Sequence, residues 1–238
     1  MSLRSNLAAC LTVAALAACG GGDDSPHSNE PLPLAVGNQW QYHYSTAFPY
    51  SESGVSTYKV SGTTKIDGVD AFVVNDDFRT GGDTHTTPYA TSESGVTRYP
   101  ASDATAEQIA DGPQIALRQP LTVGDRWTNV SRTVDVGFDY DEDGTNEVEV
   151  TESHSAVGDT VSVSTFAGNF STAYPIETFH RRQFKSPVTG EVFDTELDNI
   201  KEWYVIGVGV VRRETYFQPY GGWRDFHSTE ILSAYHVK

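Results

Sequence analysis

The sequence predicts an all-β fold, a strongly curved antiparallel sheet in the form of an open barrel or a sandwich, and three observations predict it. An eight-residue phrase occurs twice: Pro33-Leu34-Ala35-Val36-Gly37-Asn38-Gln39-Trp40 returns as Pro120-Leu121-Thr122-Val123-Gly124-Asp125-Arg126-Trp127, with five positions identical. Proline stiffens the start, glycine permits a bend and tryptophan supplies a large anchor, each time ahead of strand-type residues. Trp40-Gln41-Tyr42-His43-Tyr44 alternates aromatic with polar, the period of a half-buried strand. Outside the N-terminal segment, aromatic and β-branched residues dominate, with 4 Trp, 12 Tyr and 11 Phe against a single Met.

Taken in order, Gly54 to Val60 continues the strand pattern, and Thr63–Ile66 with Val69–Val74 reads as a hairpin. Its Asp67-Gly68 pair suits a type I′ turn, where both residues take positive φ. Residues 79–84 form a polar, Gly-rich loop, and Gly95 to Tyr99 starts a short strand. One short helix is expected near 103–111, capped by Asp103 and stopped by Gly112-Pro113. After the second phrase, Arg126 to Phe138 alternates, with Val130, Val134, Val136 and Phe138 on one face; Val148 and Val150 resume after an acidic turn. Thr160–Thr165 and Phe170–Thr178 flank the turn Ala167-Gly168-Asn169. Residues 182–200 read as a polar loop, Lys201–Val205 and Val208–Tyr216 as strands around Gly207, and Glu230–Val237 as the last strand. Both halves contain a Gly-Val-x-Arg strand start, Gly95-Val96-Thr97-Arg98 and Gly209-Val210-Val211-Arg212. A single β-rich domain over 33–238 follows. It is either pseudo-duplicated as 33–119 and 120–238, or a meander that reuses one turn.

The N-terminus carries an address. Arg4 precedes the short apolar run Leu7–Ala18, which is too short to span a bilayer and suits a secretory signal. Leu16-Ala17-Ala18-Cys19-Gly20 resembles the lipobox of bacterial lipoproteins. That resemblance implies a signal peptide over 1–18, cleavage before Cys19 and lipidation of its sulfur. Cys10 leaves with the signal, so Cys19 would be the mature chain's one cysteine, without a partner for an internal disulfide. Residues 19–32, rich in Gly, Ser and Asp, read as a flexible tether. The membrane is thus a partner through the lipid anchor. Gly20, in place of the Asp that favours inner-membrane retention, points to the outer membrane.

Net charge and missing motifs exclude several functions. A formal charge of −16 opposes binding to nucleic acid, whose phosphates need basic patches. The sequence has no Gly-x-Ser-x-Gly, His-Glu-x-x-His, Gly-x-Gly-x-x-Gly or phosphate-binding loop, and its 7 His show no metal-ligand spacing. The two phrases, the Ala167-Gly168-Asn169-Phe170 turn and Trp203 to Val211 together resemble a broad group of uncharacterised exported bacterial lipoproteins. The resemblance covers most of 33–237 and implies an antiparallel, strongly curved sheet or barrel, without an activity.

One stretch carries candidate chemistry. Asp139-Tyr140-Asp141-Glu142-Asp143-Gly144-Thr145-Asn146-Glu147 has carboxylates at alternate positions followed by glycine, as in the first half of a calcium loop. Val150 stands where an EF-hand needs glutamate and the flanks alternate like strands, so Asp139, Asp141, Asp143 and Glu147 would hold Ca²⁺ at a hairpin tip or form a solvated turn. The pairs Arg181-Arg182 and Arg212-Arg213 each place one side chain on either face of a strand, for surplus acids or an anionic ligand. Trp40, Tyr42, Tyr44, Tyr58 and Phe72 would pack a core or line a concave ligand site. Lipocalins open with Gly-x-Trp, whereas this chain has Gly-x-x-Trp. The expectation is a lipid-anchored, non-catalytic binding or scaffold module serving an envelope protein or ligand. Its rivals are a carrier of a lipophilic ligand and an envelope hydrolase.

Overall fold

The structure, a computed structural model, describes residues 29–47, 51–77, 85–219 and 226–238. The expected signal peptide, Cys19, most of the expected tether and the expected loop 79–84 lie outside the described residues. Six strands and one helix form the first half: β1 (Gln39–Ala47), β2 (Ser53–Ile66), β3 (Val69–Asp77), β4 (His85–Ser92), β5 (Gly95–Arg98), α1 (Ala106–Asp111) and β6 (Gln114–Arg118). The second half holds β7 (Arg126–Asp135), β8 (Val148–Val157), β9 (Val161–Thr165), β10 (Gly168–Lys185), β11 (Val192–Val205), β12 (Gly209–Gln218) and β13 (Phe226–His236). Twelve strands follow one antiparallel path, β6-β5-β4-β3-β2-β1-β13-β12-β11-β10-β8-β7, and β9 pairs with β10. The path curls so far that its two ends, β6 and β7, meet; the all-β barrel is nearly closed.

The repeated phrase builds the same turn twice. Gly37 takes φ 97° and Gly124 φ 90°, a region that strains any residue with a Cβ. Gly37 N–H donates to Val60 O at 2.8 Å, and Gly124 N–H to Val157 O at 2.9 Å. In return Val60 N–H donates to Asn38 O and Val157 N–H to Asp125 O, both at 2.9 Å. The turn therefore locks β1 to β2 in one half and β7 to β8 in the other. Trp40 then faces Tyr58 across its strand pair, and Trp127 faces Ser155. Both indoles are buried.

The equivalence extends through both halves. β2 carries a bulge at Ser61, just after Val60; at the matching place the chain breaks after Val157, so β8 and β9 together correspond to β2. β3 then matches β10, β4 matches β11, and β5 and β12 both start at the predicted Gly-Val-x-Arg. The two halves thus run their strands in the same order within one continuous sheet. By that equivalence the seam between β6 and β7 corresponds to the ladder between β13 and β1. The 11-residue β13 pairs with β1 along its whole length, whereas the 5-residue β6 has no backbone ladder to β7. Side chains close the seam instead: the Trp127 indole donates to Ile115 O at 2.9 Å, and Arg132 of β7 meets Asp111 of α1 at 3.0 Å.

The interior collects Leu34, Trp40, Val60, Val96, Leu117, Trp127, Ile176, Tyr204, Val211 and Leu232 into one core. Burying such side chains contributes roughly 1.5–3 kcal/mol each. Gly54 is required by packing, because a Cβ there would come within 2.8 Å of the Tyr44 ring.

Several expectations need correction. Residues 182–200 are no loop: β10 runs to Lys185, β11 starts at Val192, and only a short turn separates them. Their inward positions are polar, so the apolar alternation that marks a strand is missing. β4 and β6 were not expected, and β7 ends at Asp135, before Val136 and Phe138. The register shift between Thr128 and Val130 lets Trp127 and Val130 both be buried, whereas Val134 and Phe138 are exposed. The helix is shorter at its start: Thr105 and not Asp103 caps it, and the Gln108 side chain closes the capping box. Asp103 pairs with His85 at 2.6 Å. The tether is not free to its end, because Pro31 is buried, Leu32 packs against the core and Gly207 N–H donates to Glu30 O at 2.8 Å.

Candidate functional site

The register brings charged side chains to the middle of the barrel. Glu202 of β11 pairs with Arg213 of β12, Arg213 with Glu230 of β13, Glu230 with Tyr44 of β1, and Tyr44 with Gly54 of β2. This row places a guanidinium between two carboxylates on three adjacent strands. Arg213 donates through Nε to Glu202 Oε1 at 2.7 Å, and through Nη1 to Glu230 Oε2 at 2.5 Å and the Tyr58 hydroxyl at 2.9 Å. Ser56 donates to Glu230 at 3.0 Å, and the Tyr204 hydroxyl donates to Glu202 at 2.6 Å. Burial works against the charge on Arg213, but Tyr58, Glu202 and Glu230 outweigh it and raise its pKa further. Burial pushes Glu202 up, yet Arg213 and the hydroxyl of Tyr204 bring it below its ordinary range. Burial also raises the phenols of Tyr42, Tyr58, Tyr89 and Tyr204, which therefore remain neutral.

A cavity of about 350 Å³ opens beside this network. Trp40, Tyr42, Tyr58, Tyr89 and Tyr204 give it aromatic walls, and Asp76, Arg98, Asn129, Glu202 and Arg213 give it polar ones. The side chain of Arg213 keeps 26% exposure and that of Glu202 21%, and both line this space. Tyr42 is fixed by its hydroxyl donating to Val210 O at 2.7 Å, and its ring meets that of Tyr58 edge-on at 5.3 Å. Three of the five aromatics expected to line a concave site do so. Tyr44 instead packs over Gly54, and Phe72 stands half-buried against the core.

Asp76 was not singled out by the sequence. It stands on β3 opposite Tyr58, and among the described residues its buried Oδ1 has no hydrogen-bond partner. Burial and then Glu230 push its carboxyl up to about 6, while Arg213 and Tyr58 pull it down. Further along the inner face, Ser153, His180 and Asp198 fall opposite one another on β8, β10 and β11. No hydrogen bond links the three among the described residues, and Asp198 Oδ1 has none at all. Burial, followed by Glu196, pushes Asp198 up to about 6, and burial with Arg182 lowers His180.

The expected calcium turn connects β7 to β8. Ligand atoms of Asp139, Asp141 and Glu147 lie within 4.8 Å of one another, and Glu147 is fully buried. The Glu147 carboxylate accepts from Tyr140 N–H at 2.5 Å and from Asp141 N–H at 3.3 Å. Asp143 is not drawn into this group; its carboxylate accepts from Thr145 N–H at 2.9 Å. The arginines serve the flanks, Arg181 meeting Glu152 at 2.5 Å and Arg182 meeting Glu149 at 3.6 Å. Among the described residues no ion pair reaches Asp139, Asp141, Asp143 or Glu147. Beside the turn, Phe138, Tyr140, Phe184 and Phe193 form a chain of ring contacts at 5.0 to 5.7 Å.

No protein-family model and no curated protein sequence matches the chain. Two crystal structures show a distant similarity to the chain. A lipoprotein candidate from Parabacteroides distasonis is 14% identical at a TM-score of 0.42, over 88% of this chain and 99% of the other. An exported-protein candidate with a YmcC-like fold from Bacteroides fragilis is 15% identical at 0.40, over 86% and 98%.

Proposed function

We propose that this chain is a lipid-anchored protein of the bacterial envelope that binds a small molecule, without catalysis, inside its barrel. The cavity of about 350 Å³ carries that reading, since its size falls in the range of small-ligand sites and its walls mix aromatic rings with a few fixed polar groups. Leu16-Ala17-Ala18-Cys19 supports the anchor, Gly20 supports the outer membrane, and the paired Pro-Leu-x-Val-Gly-x-x-Trp turns support membership of the exported lipoprotein group. The charged wall is unlike a purely lipophilic carrier. Native mass spectrometry of the full chain, purified from membranes in detergent, tests the reading. A retained molecule that is lost in Ala116→Phe, which fills the cavity, is the expected result; no retained molecule in either protein would leave a scaffold.

A second reading concerns Asp139, Asp141 and Glu147, whose convergence supports a structural Ca²⁺ at the acidic turn. Calcium should raise the melting temperature of the wild-type chain and not that of Asp141→Ala. A shift equal in both proteins, or none in either, removes the site.

A further inference from the structure

We propose that the barrel cavity takes a small organic cation, an alkylammonium or related amine, in preference to a neutral lipophile or an anion. The proposal rests on the cavity-binding reading above and names its ligand class. Charge around the cavity is unbalanced. Asp76 and Glu202 line the cavity and Glu230 adjoins it through Arg213, three carboxylates against two guanidinium groups, Arg213 among them and the exposed Arg98. Glu202 and Glu230 are both ion-paired to Arg213, and among the described residues Asp76 has no ion pair.

The other bases nearby are engaged. His85, opposite Asp76 on β4, is held by Asp103, and Arg98, exposed in the cavity wall, turns its Nη2 to the neutral amide of Gln114 at 2.8 Å. An ionised carboxylate removed from water needs a counter-charge, and at neutral pH a carboxyl titrating at about 6 is mostly ionised. A ligand cation supplies that charge. An anion would instead join a site where carboxylates already outnumber the buried guanidinium, and a neutral lipophile would leave Asp76 uncompensated.

The walls suit the same class of ligand. Trp40, Tyr42, Tyr58, Tyr89 and Tyr204 border the cavity, and the electron-rich faces of such rings attract ammonium groups. Within the protein, the Arg213 guanidinium already lies 5.3 Å from the centre of the Tyr58 ring. The raised phenol pKa values keep these tyrosines uncharged, so Asp76 remains the carboxylate available to the ligand.

Calorimetry on the detergent-solubilised full chain, with four probes, decides the matter: choline, butylammonium, the neutral choline isostere 3,3-dimethylbutan-1-ol, and hexanoate. The two cations should bind, with the isostere and hexanoate at least roughly tenfold weaker, as expected for loss of a charged contact. Asp76→Asn, whose folding is checked by its melting curve, should lose that preference while keeping its weak affinity for the isostere. Cation affinity of the wild type should fall between pH 7 and pH 5 as Asp76 takes up a proton. The groups facing Asp76 are Tyr58 of β2, His85 and Tyr89 of β4, Glu202 of β11, Arg213 of β12 and Glu230 of β13. Equal or tighter binding of the isostere or hexanoate would overturn the cation assignment and leave the cavity reading standing. Cation binding undisturbed in Asp76→Asn would overturn the role of Asp76. Binding of none of the four, together with no molecule retained in native mass spectrometry, would overturn both readings.

Discussion

Trp40 and Trp127 occupy the same position in two copies of one turn, with the same backbone hydrogen bonds behind them. Their surroundings differ in what lies on the open flank. β1 has β2 on one side and β13 on the other, so Trp40 is held in a continuous sheet and its indole reaches Val208 O. β7 has β8 on one side and the seam on the other, so the Trp127 indole itself spans the gap to Ile115 O. The same side chain anchors a strand in one half and fastens the barrel in the other. The difference shows that a repeated sequence fixes a local turn, while the length of the neighbouring strand decides what that turn is used for.

A second contrast lies at the two Gly-Val-x-Arg starts. Arg98 and Arg212 match, but the next residue is Tyr99 in the first half and Arg213 in the second. The guanidinium at the centre of the charged row therefore has no counterpart at the matching place in the first half. Arg213→Met should cost about 3–5 kcal/mol, because Glu202 and Glu230 lose their partner inside the barrel. Arg212→Met, which releases the more exposed Glu214, should cost less than about 1 kcal/mol. Urea unfolding of both variants gives the comparison, and equal losses would sink it.

The tryptophans can be set against each other next. Trp40→Phe and Trp127→Phe each leave a carbonyl without its indole donor, at roughly 1–3 kcal/mol. Only Trp127→Phe should speed amide hydrogen exchange in β6, with β1 and β13 unchanged. Faster exchange throughout the sheet in that variant would mean that the seam is no weaker than the ladders.

Acid should sharpen the view of the polar inner face. Asp76 and Asp198 both titrate at about 6 in the folded protein, above their ordinary value of 3.8. The folded state thus holds these protons more tightly than the unfolded chain. Their stabilising contribution is complete below the unfolded value and is lost as pH rises through about 6. Stability should rise by roughly 1–2 kcal/mol per group from pH 7 to pH 5, after allowance for solvent screening. Glu202, shifted downward, works in the opposite sense at lower pH, where its contribution fades. Asp198→Asn should flatten the limb between pH 5 and 7; an unaltered slope would contradict the assignment. The smallest effect belongs to the acidic turn, where millimolar Ca²⁺ at a weak site should add about 1 kcal/mol. A larger gain would make that turn a principal support of the fold.

Much of the barrel was legible because many of its strands and turns obey simple chemistry. Trp40 to Tyr44 alternates, Asp67-Gly68 turns with φ of 50° and 83°, and Gly95 and Gly209 begin strands with positive φ. β10 and β11 lost that legibility between 182 and 200, since Arg182, Asp194, Glu196 and Asp198 face a polar interior. The acidic turn was visible as a run of carboxylates. The cavity was legible only in part: Trp40, Tyr42, Tyr58 and the Arg212-Arg213 pair stood out, but Asp76, Glu202 and Glu230 are far apart in the chain and each looks like an ordinary strand charge.

The sequence by itself determined the strand chemistry, the two equivalent turns and the carboxylate-rich tip, all of which are set by residues within a few positions of one another. Tertiary structure decided which charges became interior. Register across β11, β12 and β13 put Glu202, Arg213 and Glu230 in one row, and the register of β2 with β3 set Asp76 opposite Tyr58. Cross-strand register depends on the side-chain sets of all the strands together, so the site comes into being only when the sheet curls round on itself.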